Sequence, residues 1–106
     1  MSNTYINAKL DLTATSVTTL YTCAALTTGI VKSMLVSEDT GNADTITVTI
    51  TNGSAVYSLF KTKAVGANTT VELLTAPLVV QAGEILKVTA ATANRLHVVA
   101  SILEIT

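Results

Sequence analysis

The chain of 106 residues contains few of the residues that usually cross-link a small protein or bind its partners. Its one cysteine, Cys23, excludes an intrachain disulfide and any zinc motif built on paired cysteines. Its formal net charge of -1 provides no long-range field to attract nucleic acid or an anionic membrane. Aromatic residues make up only 4% of the chain, so rings on which bases could stack are scarce. The fold must therefore depend on packing and on backbone hydrogen bonds.

Charge of either sign is also scarce. Charged residues make up 12% of the chain, about half of the ~25% that is typical of globular domains. Hydrophobic residues reach 49%, which is high for a small protein with a large surface-to-volume ratio. One interpretation is a threonine-coated sheet protein that tolerates a weakly charged surface. The interpretation we favour is that other subunits cover much of the surface.

Length and the N-terminal sequence limit the organisation of the chain. A second core would not fit into 106 residues, so we expect one domain over residues 1–106, with residues 1–4 as a flexible N-terminal arm. The start of the chain lacks the basic and apolar segments of a signal peptide, and no apolar run approaches the roughly 18 residues that span a bilayer. We expect a protein made in the cytosol, with neither a membrane nor a nucleic acid as partner.

Alternation of apolar and polar residues predicts strands throughout. In Asp44–Thr51, isoleucine and valine alternate with threonine, as in a strand with one buried and one exposed face. Short strands at this spacing indicate a single all-β sandwich, jelly-roll-like, with about eight strands. The last two predicted strands are apolar on both faces, which is typical of central or covered strands. The predicted strands are Tyr5–Leu12, Val17–Cys23, Ile30–Ser37, Asp44–Thr51, Ala55–Lys61, Thr70–Leu74, Ile85–Ala90 and Arg95–Ile105.

Glycines separate these segments. The pair Asn52-Gly53, which lies between two predicted strands, predicts a type I′ hairpin turn. Two matches to the glycosylation pattern, at Asn52 and Asn68, are interpreted as turns. The best competing helix is Val17–Leu26, which has apolar residues at helical spacing, but its β-branched content favours a strand.

The candidates for chemistry are single residues without partners in the sequence pattern. His97 is the only histidine, and no motif places a nucleophile and an orienting carboxylate beside it. We expect it to point away from Leu96 and Val98 in a structural or interface role. Cys23 has no basic neighbour to activate it and is interpreted as a small buried hydrophobic residue. No catalytic residue is predicted.

Two charged clusters are also weighed. The stretch Glu38–Asp44 offers loop oxygens for calcium, but it lacks the spacing and the terminal bidentate glutamate of a calcium loop. Asp, Asn and Gly also build turns by themselves, so a turn is the preferred interpretation. Lys61 and Lys63 form a local basic pair without the interleaved aromatics of a nucleic-acid site. We therefore predict no metal site, no cofactor and no enzyme.

Three segments of the chain share a pattern of strands and turns with known proteins: Leu20–Cys23 with Gly29–Ser37, Pro77–Ala90, and Ser101–Ile105. Together they resemble a family of small β-sandwich structural proteins of tailed-phage virions, which serve as capsid decoration, neck or tail components. In that family the equivalent patterns look like a Leu-Tyr-Thr-Val-Pro-Ala-Gly turn before an Ile-Val-Lys-Ser-Ile strand, a Leu-Glu-Ala-Gly-Asp turn and a terminal Leu-Glu-Ile. The chain departs from the pattern at Cys23–Leu26, where the family more often has Val-Pro-Ala-Gly.

This resemblance implies a role in the virion. The expected function is a capsid decoration (cement) protein, a homotrimer that binds the major capsid protein and stabilises the assembled head. A neck, tail or fibre component is the alternative within the same class. A carbohydrate-binding sandwich module is the rival from another class, and the scarcity of aromatic rings counts against it.

Overall fold

The computed structural model describes residues 2–106, which form β-strands joined by turns. Within this range there is no helix, and hence none long and apolar enough to cross a membrane. The strands are β1 (Asn3–Asp11), β2 (Thr18–Thr22), β3 (Thr28–Glu38), β4 (Asp44–Asn52), β5 (Ala55–Val65), β6 (Thr70–Glu72), β7 (Leu78–Val80), β8 (Ile85–Ala90) and β9 (Leu96–Ile105).

The strands form two antiparallel sheets. Sheet A has the order β1-β9-β3-β6, with β7 also paired to β3, and sheet B has the order β2-β8-β4-β5. Both β6 and β7 pair with β3 on the side away from β9, at different places along it. They are two halves of one edge strand, interrupted between Glu72 and Leu78.

Counting β6 and β7 as one strand gives eight, and their pairing follows a simple rule. The first strand pairs with the last, the second with the next to last, the third with the interrupted strand, and the two middle strands with each other. This is a long hairpin wound into two sheets, the arrangement of a jelly roll. The prediction of an all-β sandwich is confirmed, and the predicted centrality of the last two strands is also correct.

The core lies between the two sheets and follows the predicted alternation. In β4, Ile46 and Val48 are buried while the threonines between them are half-buried on the other face. In β8, Leu86 and Val88 are buried in the same way. Each fully buried side chain of this type contributes about 1.5–3 kcal/mol through removal from water. Other fully buried members are Val31, Met34, Val36, Val65, Val80, Leu96, Val98, Ala100 and Ile102.

The helical spacing at Val17–Leu26 has a structural explanation. Within it, Thr18–Thr22 forms β2 and pairs with β8. The pairing register shifts between Thr19 and Tyr21, so this strand contains a bulge. The bulge allows the consecutive residues Leu20 and Tyr21 both to be buried, which a regular strand would not.

Two local expectations are corrected. The flexible arm expected at residues 1–4 is not seen: Asn3 and Thr4 begin β1, and Ser2 exchanges backbone hydrogen bonds of 3.2 and 3.0 Å with Thr106. The free edge of β9 provides the ladder that orders them, and Met1 lies outside the described residues.

The second correction concerns the turn between β4 and β5. Asn52 is the last residue of β4 and pairs with Ala55, so the two-residue loop is Gly53-Ser54 rather than Asn52-Gly53. In that loop Gly53 has a φ of 62°, while Ser54 is not among the residues of positive φ. This is the pattern of a type II′ turn, which requires glycine at its first central position, and not of the predicted type I′ turn.

Candidate interaction surface

The outer face of sheet A carries a row of apolar side chains that crosses four strands. Tyr5 on β1 pairs with Leu103 on β9, which pairs with Ile30 on β3, which pairs with Val79 on β7. Because directly paired residues share a face of the sheet, these four side chains lie side by side. Tyr5 is 73% exposed and Val79 is 51% exposed, so the row is open to solvent.

A second row lies four residues further along β9. It runs from Lys9 through Val99 and Leu35 to Glu72, with the two apolar residues exposed on the central strands and the two charged residues on the edge strands. Between the two rows lie the small polar residues of the pairs Asn7–Ser101 and Ser33–Ser101. We call this surface, from the Tyr5 row to the Leu35 row, the apolar face.

The outer face of sheet B differs in chemistry although it has the same pleat. Threonines occupy its centre, with Thr47 of β4 paired to Thr89 of β8. The next pair combines Thr49 with Lys87. Threonine has the branched shape that suits a strand but presents a hydroxyl to water. This face is therefore compatible with solvent without a partner.

A second exposed apolar surface lies on the edge strand β5. Its first half, Ala55–Phe60, carries no charged residue. Val56 is 61% exposed and its neighbour Tyr57 is 59% exposed, although consecutive residues point to opposite sides of a strand. The start of this strand therefore projects beyond the core with both sides uncovered, and we call Ala55–Phe60 the β5 ridge.

His97 lies at the charged end of sheet A, half-buried and directed away from Leu96 and Val98 as expected. Its Nε2 is 3.3 Å from Oδ1 of Asp11, and its Nδ1 is 3.8 Å from Oδ2 of Asp39. Since each ring nitrogen faces a carboxylate, the ring has no nitrogen directed at a hydroxyl or thiol. The geometry is that of a charged surface cluster.

Glu38 accounts for the acidic stretch that was weighed as a calcium loop. Its buried carboxylate accepts hydrogen bonds from the backbone N–H groups of Thr40, Gly41, Asn42 and Asn68 at 2.9–3.2 Å, and from the Thr40 hydroxyl. Burial alone would raise the pKa of this carboxyl, but these hydrogen bonds outweigh it and lower the pKa to about 2. The carboxylate thus ties the loop after β3 to the loop before β6.

The rest of that stretch is also used within the fold. Asp44 accepts a hydrogen bond of 3.1 Å from the backbone N–H of Thr92, which lies 48 residues later in the chain. Within residues 2–106, no three His, Cys, Asp or Glu side chains come together in a way that could hold a metal ion. The hydrogen bonds that Glu38 accepts from the N–H groups of Thr40, Gly41 and Asn42 are those of a turn, in line with the preferred interpretation.

The other residues singled out by sequence are not brought together. Cys23 is buried, and its thiol donates to the carbonyl oxygen of Thr27 at 3.2 Å. Lys61 and Lys63 flank Thr62, whose φ of 49° marks a bulge in β5, and the Thr62 N–H donates to Oγ1 of Thr47 at 3.1 Å. Cys23 lies just after β2 and the two lysines lie in β5, so they occupy separate parts of the molecule.

Sequence reasoning missed a contact that joins the two sheets. The Tyr21 hydroxyl of β2 donates to Oε2 of Glu104 on β9 at 2.6 Å, and burial together with this hydrogen bond raises the pKa of Tyr21. Gly29 makes room for the ring, because a Cβ there would lie 2.8 Å from the tyrosine oxygen. The spacing of Tyr21, Gly29 and Glu104 in the sequence contains no signal for this contact.

A groove of about 480 Å³ opens where the interrupted strand faces β5. Leu59, Phe60 and Leu78 supply its apolar wall, and Lys63 and Glu72 lie at its border. The Glu72 carboxylate bridges part of the interruption, since it accepts hydrogen bonds from the Ser33 hydroxyl and from the Met34 N–H at 2.7 Å. Burial opposes ionisation of Glu72, but these bonds lower its pKa.

Comparison with known proteins identifies solved structures with a similar fold. No family model and no curated protein matches the chain. The structure is similar to a chain of the Bacillus endospore appendages, described as a novel family of disulfide-linked pili, with a TM-score of 0.59 and 12% identity over 99% of this chain and 87% of that chain. At that identity the likeness is evidence for the fold alone.

Two structures of a pentameric capsid protein isolated from metagenomic phage sequences also match. Each has a TM-score of 0.49 and 20% identity over 92% of this chain. The chain spans 60% of one and 58% of the other, so about two fifths of the capsid protein has no counterpart here. At this level of similarity they carry no argument about the role of this chain.

Proposed function

We propose that this chain is a non-enzymatic structural protein of a bacteriophage particle, and more specifically a capsid decoration protein. In this role it assembles as a homotrimer on the outside of the head and binds the major capsid protein. The observation that carries the proposal is the apolar face of sheet A. An exposed apolar surface that crosses four strands is typical of a surface that meets other protein subunits.

Two further observations support it. The chain has half the usual share of charged residues, so an isolated copy is poorly protected against association. Two of the segments that resemble virion proteins, Gly29–Ser37 and Ser101–Ile105, lie within β3 and β9, the two central strands of the apolar face. The number three comes from the decoration role, because capsid lattices offer threefold axes on which symmetric trimers fit.

The resemblance keeps a second position within the particle open, that of a neck, tail or fibre component. A sugar-binding role is less well supported by the arrangement of the aromatic rings. Tyr5 lies on an edge of sheet A and Tyr57 on an edge of sheet B, so the two exposed tyrosines do not form one stacking platform. Specific binding on a glycan array would favour that role instead.

The test uses particles with and without the protein. A protein that binds only the assembled shell stabilises it by mass action, and many copies at repeated sites add their effects. We expect particles that lack the chain to release DNA at a lower temperature than complete particles, while undamaged particles infect equally well. Equal heat resistance, or a label that places the protein on the tail, would contradict the decoration role.

A further inference from the structure

We propose that copies of this chain join through a heterologous contact, in which the β5 ridge of one copy packs on the apolar face of sheet A of the next. This inference rests on the proposed assembly role and names the surfaces that would carry it. The molecule that covers the apolar face is thus a second copy of the chain.

The shapes of the two surfaces provide the first argument. The apolar face is broad and pleated, whereas the β5 ridge is a single projecting edge strand with Val56 and Tyr57 uncovered on its two sides. A symmetric contact of face with face, or of ridge with ridge, would leave the other surface in water. A contact between the two unlike surfaces buries both, and a contact of this type closes into a ring when the rotation between successive copies allows it.

The direction of charge along each surface provides the second argument. Sheet A changes from the uncharged row at Tyr5 to an end that carries the carboxylates of Asp11, Asp39 and Glu72, with the basic residues Lys9 and His97 among them. In β5 the uncharged ridge is followed by Lys61 and Lys63, and the strand contains no acidic residue. If the apolar parts are superimposed, the basic end of β5 lies toward the acidic end of sheet A.

The spacing along the two surfaces also matches. Tyr57 and Lys63 pair with Ile50 and Ile46, which are only four residues apart on β4, because the bulges of β5 take up two residues. The Tyr5 row and the row that ends in Glu72 are likewise four residues apart on β9, and at about 3.3 Å per residue each separation is roughly 13 Å. An apolar contact near the Tyr5 row therefore brings the lysines of the neighbouring copy toward the row of Glu72. Opposite charges at such a position orient the contact more than they strengthen it.

Three single substitutions to lysine test this arrangement. Leu35→Lys places a charge in the middle of the apolar face, and its cross-strand neighbour Glu72 can pair with the new lysine, so the fold is preserved. Tyr57→Lys places a charge on the β5 ridge. Thr89→Lys places the same charge in the middle of the outer face of sheet B and is the matched control.

Sedimentation of the full-length proteins, with circular dichroism as the check on folding, provides the measurement. We expect the wild type and Thr89→Lys to form the same small oligomer. We expect Leu35→Lys and Tyr57→Lys each to be folded monomers. A Tyr57→Lys protein that still assembles while Leu35→Lys does not would overturn the inference, because the apolar face would then pair with itself.

Mixing the two variants tests the pairing of unlike surfaces directly. Leu35→Lys retains an intact ridge and Tyr57→Lys retains an intact face, so together they can form one contact but cannot close a ring. The expected product is a one-to-one heterodimer. A mixture that stays monomeric at the highest concentration reached would overturn the inference.

The outcomes of these experiments can be told apart from the outcomes that test the proposed function. Assembly of both variants like the wild type, or a monomeric wild type, would overturn the contact proposed here. Neither result would decide whether the protein lies on the phage head, which labelling and the heat resistance of particles test independently.

Discussion

The outer faces of the two sheets have the same strand geometry but opposite chemistry. At the centre of sheet A, Val99 pairs with Leu35, and at the corresponding place in sheet B, Thr47 pairs with Thr89. Valine and threonine have almost the same branched shape, so either is suited to an extended strand. The choice between them depends on what covers the strand, water or protein. The difference indicates that the outer face of sheet A is suited to contact with protein and the outer face of sheet B to contact with solvent.

The largest expected effect is the difference in stability between a substitution on the inner face of sheet A and the same substitution on its outer face. Val98 is fully buried between the sheets, whereas Val99 is exposed on the apolar face. Val98→Asp buries an unpaired carboxylate, and we expect it to lower the free energy of unfolding by at least about 3 kcal/mol. Val99→Asp should change that free energy by no more than about 0.5 kcal/mol. Urea unfolding followed by circular dichroism measures both.

The same two variants also test whether the outer face of sheet A is a contact surface. If Val99→Asp destabilised the isolated chain as severely as Val98→Asp, the outer valine would belong to the core of the subunit. The apolar face would then serve stability within one chain instead of contact between chains.

A smaller effect on the melting temperature is expected from two carboxylates that lie at strand ends, one in each sheet. Glu38 ends β3 of sheet A and accepts five hydrogen bonds, while Asp44 begins β4 of sheet B and accepts one. Glu38→Gln replaces an acceptor by a group that also carries two donors, which face the N–H groups of the loops. We expect the melting temperature to fall by on the order of 10 °C, and Asp44→Asn to lower it by less.

The Glu38 carboxylate also predicts how stability depends on pH. Its folded-state pKa of about 2 lies below the ordinary value of 4.5, so its contribution to stability is fully present above pH 4.5 and is lost as the pH falls toward 2. We expect the wild type to lose stability over this range and Glu38→Gln to lose less. Parallel curves of melting temperature against pH for the two proteins would show that other groups cause the acid sensitivity.

The smallest expected effect concerns His97 at the charged end of sheet A. Its contacts with Asp11 and Asp39 are between exposed side chains, and such pairs are worth little. We expect His97→Gln to change the free energy of unfolding by less than about 0.5 kcal/mol and to leave assembly intact. A folded His97→Gln protein that failed to assemble would extend the contact surface from the apolar face to this cluster.

Much of the fold could be predicted because the alternation of apolar and polar residues can be recognised within one short segment. The pattern in Asp44–Thr51 identifies both a strand and its buried face, and the strand is observed as Asp44–Asn52. The strand Leu78–Val80 was missing from the prediction because three apolar residues after a proline carry no period. The interruption before it involves hydrogen bonds from Ser33 and Met34 to the Glu72 side chain, distant in the chain.

The candidate surface could be predicted only in part. The apolar residues on both faces of the last strand indicated that it is central or covered, and it is central. The row from Tyr5 to Val79 could not be predicted, because its four members come from four strands and depend on the pairing register. The hydrogen bond from Asn68 to Glu38 was also beyond local patterns, since its donor lies 30 residues away in the chain.

The winding of the chain has a consequence for how the protein folds. The outermost pairing of the wound hairpin joins Asn3 to Ile105, so β1 cannot find its partner until almost the whole chain has been synthesised and brought together. Folds dominated by such distant pairings have a high contact order and fold in milliseconds to seconds, slower than helical domains. During that interval the free edge of β9 and the uncharged β5 ridge are both open to other chains. In the contact proposed above the next copy covers the β5 ridge, so assembly would remove one of these two exposed surfaces.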